Sequence, residues 1–204
     1  MSKFDFKKDF KALYKAPEKG FVFVEVPPML YLMADGVGDP NIAPEFPAAV
    51  EALYGTAYTI KFSLKKAGVG PEYTVAPLSG LWWCAGIEGF DVENRDIWRW
   101  TMMIAQPPHV ERAMVDEAVA ALTAKGKKGP LDRIRFETFD EGLCVQTLHV
   151  GPYCEEGPKI EAMHRFVHEE GYSLRGRHHE VYLSDPRRTA PEKLKTILRH
   201  PVSK

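Results

Sequence analysis

The sequence predicts an α+β fold in which a strand–helix–strand–strand pattern occurs twice with pseudo-twofold symmetry. The expected result is an antiparallel sheet with helices on one face and a ligand cleft between the halves. Two kinds of apolar periodicity alternate along the chain, one of spacing two and one of mixed spacings three and four. Each long helical segment follows a β segment closed by a similar turn, Val37-Gly38-Asp39-Pro40 in the first half and Val150-Gly151-Pro152-Tyr153 in the second. Each is then followed by a second β region, with Leu81-Trp82-Trp83 near the place of Glu180-Val181-Tyr182.

Residues 1–19 read as an amphipathic lead-in that packs Phe4, Phe6, Phe10 and Leu13 against the body and ends at Pro17 and Gly20. From Phe21 to Met33 the alternation is β-like, with Pro27-Pro28 bending or separating two strands. Asn41 and Pro44 open a helix whose core stripe is Phe46, Val50, Leu53, Ala57, Ile60 and Leu64. Beside it, Tyr54, Tyr58 and Phe62 recur at spacing four, either widening the buried face or lining a cavity. Gly68-Val69-Gly70-Pro71 ends this helix, and Tyr73 to Cys84 reads as two strands around a Pro77-Leu78-Ser79-Gly80 turn. An acidic loop over 86–96 precedes a strand, Ile97 to Ala105, with Trp98, Trp100 and Met102 on one face. Such an aromatic and methionine face is either core or a soft binding surface.

Pro107-Pro108 breaks that strand, and 109–125 is a helix joining two modules of about 20–106 and 130–204. Ile134–Phe139 and Leu143–Val150 are strands, Pro158 opens a helix carrying Ile160, Met163, Phe166 and Val167, and Tyr172–Gly176 leads to the strand of Glu180.

A formal net charge of −1 gives no concentrated basic face for nucleic acid. No segment approaches the roughly 20 apolar residues that span a bilayer, and the N-terminus has no signal-like run. The chain therefore reads as a soluble cytoplasmic protein. Cys84, Cys144 and Cys154 are odd in number and lack CxxC spacing, which argues against a disulfide framework and a structural zinc site.

Within Arg177–Pro186, strand alternation sets His178, Glu180 and Tyr182 on one face and His179, Val181 and Leu183 on the other. If the first face is covered, Glu180 is a buried acid, which proteins keep mostly where it binds or reacts. The plain alternative is an edge-strand carboxylate in water, or one paired with Arg175 or Arg177. Adjacent His178 and His179 point apart and cannot hold one ion with Glu180, and His164 with His168 on a helix lacks a third ligand. No metal and no cofactor are expected on these grounds.

His149-Val150-Gly151-Pro152-Tyr153, Glu180-Val181-Tyr182-Leu183-Ser184-Asp185 and the duplicated pattern resemble the GyrI-like small-molecule-binding domain, built from two SHS2 modules. Pro77 to Trp83 and the tail Ser184 to Thr196 resemble its stand-alone branch, some members of which are similar to cyclopropanoid cyclopropyl hydrolases. The resemblance implies an aromatic pocket between the modules, with a buried Glu at Glu180 that attracts cationic or amphipathic ligands. It also implies a non-catalytic alternative, a multidrug-sensing or sequestering protein acting with a partner regulator. For hydrolysis, Glu180 would deprotonate a water while Tyr153 or Tyr182 donates to the oxygen that gains charge. Trp82 or Trp83 with Trp100 would sandwich a flat substrate, and Trp98, Met102, Tyr54, Tyr58, His149 and His178 complete the ligand-binding candidates. The first twenty residues are too few for a helix-turn-helix, so no direct nucleic-acid partner is expected, and the chain is read as a monomer or weak homodimer.

Overall fold

The computed structural model describes residues 3–86 and 94–204. Two short helices, α1 (Phe6–Asp9) and α2 (Lys11–Tyr14), precede strands β1 (Val22–Val26) and β2 (Met29–Val37). Helix α3 (Glu45–Ala67), strands β3 (Leu78–Cys84) and β4 (Trp98–Gln106), and helix α4 (Arg112–Ala124) follow. The second half holds β5 (Arg135–Phe139), β6 (Gly142–Val150), helix α5 (Gly157–Glu169), β7 (Ser173–Leu174), β8 (His178–Tyr182) and β9 (Lys195–Ser203).

Among the described residues the strands form one antiparallel sheet in the order β1-β6-β9-β8-β3-β4-β2-β5, with β7 added on β9. The order is palindromic by role. Each half contributes three neighbouring strands, and its first strand crosses to the far edge of the other half: β1 pairs with β6, and β5 with β2. The halves meet at β3 and β8, so the strand of Glu180 is central rather than an edge.

Helices α3 and α5 lie on the same face. Phe46 of α3 meets Trp82 and Trp100 on β3 and β4 at ring separations of 6.1 and 5.2 Å, while Met163 and Val167 of α5 pack with Val145 and Leu198 of β6 and β9. Of the stripe expected on α3, Leu53, Ala57, Ile60 and Leu64 are buried, whereas Phe46 and Val50 remain half-open towards the space between the helices. The C-terminal end of α3 is set by Gly68, whose left-handed φ of 66° lets its N–H cap the last carbonyls.

The opposite face is covered by the lead-in. Arg199 and Gln146 donate to the carbonyls of Leu13 and Ala12, and Phe6 and Leu13 are buried. Beneath them lies a charged network: Glu141, fully buried, accepts from Arg199 at 3.3 Å and lies 2.9 Å from His179 Nδ1. Burial alone would raise its pKa, but His179 and Arg199 outweigh it and hold the carboxyl at about 2.

Two expectations need correction. Tyr73 to Ala76 is not a strand; Tyr73 makes a single bridge with Phe4. Ser79-Gly80 is not a turn but lies inside β3, because here glycine marks a close approach by other side chains rather than a reversal. Strand β9 was not anticipated at all. Part of the acidic loop expected over 86–96 lies outside the described residues. No helix among those described is long and apolar enough to cross a membrane.

Candidate functional site

The space between α3 and α5, above β3 and β8, is an open cleft of about 2490 Å³ that continues along α3. A drug-sized ligand needs roughly 300–1,000 Å³, so the cleft has room for a flat polycycle with water beside it.

Its floor follows from strand register. Gly80 sits opposite Glu180, and Trp82 opposite His178. A Cβ on Gly80 would stand 3.0 Å from Met102 Sδ and Trp82 Nε1 and 3.3 Å from the Tyr182 hydroxyl. The missing side chain therefore lets those groups close over the strand. Trp82 Nε1 donates to the Tyr182 hydroxyl at 3.0 Å, and that hydroxyl donates to Glu180 Oε2 at 2.8 Å. The other carboxylate oxygen is 3.5 Å from His178 Nε2. Burial first, and the negative charge of Glu180 second, push the Tyr182 phenol well above its ordinary range, so it stays a donor.

Neither arginine suspected of neutralising Glu180 does so. Arg175 donates to the carbonyls of Val202 and Glu141, and Arg177 stacks on Trp83 with 3.5 Å between guanidinium carbon and ring centre.

A second carboxyl, which the sequence reading did not single out, shares the cleft. Glu156 precedes α5, is 4% exposed, and its Oε1 has no hydrogen-bond partner. Burial, then the charge of Glu180, raise its pKa to about 9; of its neighbours only the Thr196 hydroxyl favours the charged form. Glu156 is thus protonated at neutral pH, beside a carboxylate braced by a phenol. A buried carboxyl that favours its protonated form, next to a second carboxyl, is an arrangement that acid–base chemistry uses.

Three imidazoles, His164, His178 and His200, gather at the same end. Burial first and neighbouring histidines second depress His164 to about 4 and His200 to about 3.

The expected ligand contacts separate into those on the cleft and those beneath or beside it. Trp82, Trp98, Tyr54, Tyr58, Tyr153, Tyr182, His178 and Glu180 line it. Tyr54 and Tyr58 stack 6.3 Å apart on one rim, and Tyr153 lies edge-on to Tyr182 at 5.7 Å. Burial, followed by the charges of Glu156 and Glu180, pushes the Tyr153 phenol up to about 12. Trp83 borders the cleft, but Arg177 occupies a face of its ring. Trp100 and Met102 lie on the same face of the sheet as Trp82 and Gly80 but are fully buried, Trp100 against Phe46 of α3 and over Gly36, where a Cβ would fall 2.0 Å from the ring. They support the site and do not line it. His149 is buried on β6 with Nε2 3.2 Å from the Pro152 carbonyl and is likewise not in the lining.

Comparison with known proteins agrees with this architecture. The model of the GyrI-like small molecule binding domain matches residues 21–203. A conserved protein of Listeria innocua is 42% identical, with a TM-score of 0.91 over 98% of this chain and 100% of that one. A hydrolase from Listeria innocua is 40% identical, with a TM-score of 0.85 over 98% of this chain and 100% of its own. The EcmrR C-terminal domain, 14% identical with a TM-score of 0.57 over 91% of this chain and 98% of that one, shares the fold. No similar protein was found among curated proteins. The palindromic sheet, the cleft over its central strands and the match over 21–203 together make the chain a member of the GyrI-like small molecule binding domain family.

Proposed function

We propose that the cleft binds flat, hydrophobic or cationic small molecules and hydrolyses electrophilic, cyclopropane-containing ones by adding water. The observation that carries this reading is the carboxyl pair: Glu156, buried with its Oε1 unpartnered, and Glu180, held by Tyr182, facing one aromatic-walled space. The 40% identical hydrolase from Listeria innocua supports a hydrolytic rather than a passive role.

In this reaction a water oxygen forms a bond to a ring carbon while a strained C–C bond breaks, and the electron pair moves into a conjugated carbonyl that becomes a hydroxyl. Glu180 takes the proton that leaves the water, and Glu156 gives one to the new oxyanion. Both protons are accounted for, and the product is substrate plus one water. The Tyr182 proton is already committed to Glu180, so the donor role expected of tyrosine falls to Tyr153 or, in this reading, to Glu156. A general base of this kind is worth about 10²–10⁴ in rate, sufficient for a substrate already activated by strain. Trp82, Trp98 and Tyr54 offer apolar surface for a planar ligand, and the Glu180 charge favours cationic ones.

The test is incubation of purified protein with a cyclopropane-bearing, DNA-alkylating indole, following ring opening by absorbance and mass in ¹⁸O-labelled water, with Glu180→Gln and Glu156→Gln alongside. Turnover with one labelled oxygen, lost in both variants, is expected. Saturable binding without a water-added product would overturn hydrolysis and leave a sequestering or sensing domain. Binding unaffected by Glu180→Gln for cationic and neutral ligands alike would remove Glu180 from the site.

A further inference from the structure

The histidine cluster is built from three separate elements: His164 from α5, His178 from β8 and His200 from β9. The register that sets His179 opposite Arg199 leaves His178 and His200 side by side on the cleft face, with ring centres 5.9 Å apart. His164 meets His200 edge-on at 5.1 Å. One ring nitrogen from each of the three lies within 4.8 Å of the others.

None of His164 Nε2, His178 Nδ1, His178 Nε2 or His200 Nδ1 has a hydrogen-bond partner. His178 and His200 are each only 9% exposed. Buried polar atoms are nearly always paired, because an unpaired one has given up its hydration for nothing. Here several nitrogens are orphaned within one small volume, and what satisfies converging imidazole lone pairs together is a cation.

The geometry points to a divalent transition-metal site of the Zn²⁺ class, held by His164, His178 and His200, with a fourth position open to the cleft beside Glu180. Nitrogens about 2.0–2.1 Å from a tetrahedral ion stand about 3.3 Å apart. The widest pair must therefore close by about 1.5 Å, a movement within reach of the broad imidazole ring torsions. Imidazole suits zinc, copper and nickel, whereas calcium and magnesium prefer oxygen, which sets the class of ion. Three histidines with a free fourth position match reactive rather than closed structural sites. Glu180 Oε1, 3.5 Å from His178 Nε2 in ion-pair but not hydrogen-bond geometry, is placed to hold a water on that position. No metal is expected from the sequence because His178 with His179, and His164 with His168, each fail as a ligand set; the fold instead joins one histidine of each pair, His178 and His164, to His200 of β9. This inference stands on the histidine cluster alone and does not depend on the hydrolytic reading.

The test uses untagged, chelator-treated full-length protein, titrated with Co²⁺ as a spectroscopic probe and then with Zn²⁺. One equivalent of Co²⁺ with visible bands of a four-coordinate ion, displaced by Zn²⁺, is expected. His178→Ala and His200→Ala should each weaken binding by about 100-fold or more, since even outer-shell changes cost about 10–100-fold. His168→Ala, exposed on α5, should change nothing. Long-range ¹H–¹⁵N spectra of the wild type provide a second readout that does not depend on folding of buried-histidine variants. On Zn²⁺ addition, ring nitrogens of three histidines should shift and those of His149 and His168 should not. Substoichiometric binding, binding abolished by His168→Ala, or nitrogen shifts confined to other histidines would overturn the site.

Discussion

Replacing Glu156 by glutamine should make the protein more stable at neutral pH while removing a group proposed to donate a proton. The carboxyl titrates at about 4.5 when free and at about 9 in the fold. Between these values the folded protein holds a proton that the unfolded chain has released. Stability therefore falls as pH rises through that window, by up to about 1.4 kcal/mol per pH unit, and is level on either side. At pH 7 this linkage amounts to about 3 kcal/mol, an order-of-magnitude figure for a group 4% exposed. Glutamine has nearly the shape of the protonated acid and no charge at any pH, so it should recover most of that loss. At about 2–4 °C per kcal/mol for a chain of this size, Tm should rise by roughly 5–10 °C near pH 7 and hardly at all near pH 4. Thermal unfolding of wild type and variant across that range is the assay. A gap that does not grow with pH, or a less stable variant throughout, would mean that Glu156 is ionised in the fold and would refute the acid assignment. In a Glu180→Gln background the window should narrow from its upper end, because the charge of Glu180 is the second cause of the shift.

Three other substitutions probe the surroundings. Glu141→Gln should destabilise by about 3–5 kcal/mol at pH 7, because it strips Arg199 of its buried counter-charge. Since the Glu141 pKa is depressed to about 2, the difference in denaturant midpoint should persist at neutral pH and narrow as pH falls from about 4.5 towards 2. Tyr182→Phe removes the donor to Glu180 and leaves Trp82 Nε1 without its acceptor; a loss of about 1–3 kcal/mol in chemical denaturation is expected, together with altered Trp fluorescence. Gly80→Ala places a methyl 3.0 Å from Met102 Sδ and Trp82 Nε1, so a cost of about 1–3 kcal/mol and weaker binding of aromatic probes should be measurable by titration.

Much of the fold was legible because periodicity is a local property. The helix stripe ending at Leu64 and the alternation around Glu180 need only neighbouring residues to be read, and both are present. What was not legible depends on distant partners. Strand β9 carries Lys195, Arg199, His200 and Pro201, a polar and proline-containing run that resembles a tail until β6 and β8 pair with both of its sides. Glu156 stands beside Glu155 ahead of a proline-started helix, where an acid usually sits in water near the positive end of the helix dipole. Only the approach of β8 and β9 buries it. Trp98, Trp100 and Met102 alternate onto one face in sequence, yet Trp98 lines the cleft while Met102 and Trp100, its ring against Phe46 and over Gly36, are fully buried.

The way the halves meet explains why the chemistry collects where it does. At the β3–β8 pair, the first half presents an aromatic ring and a bare glycine, and the second presents His178, Glu180 and Tyr182 opposite them. A large side chain at position 80 would force the Trp82–Tyr182–Glu180 chain apart. The polar groups thus have space only because the related strand gives it up. Crossing of β1 and β5 to opposite edges ties each half to the other along the sheet, so the central pair is held from both sides. A pseudo-symmetric scaffold of this kind keeps its backbone matched while its two faces of the cleft diverge, one apolar and one acidic. In the proposed reading, that division lets a single cleft both attract a flat ligand and act on it.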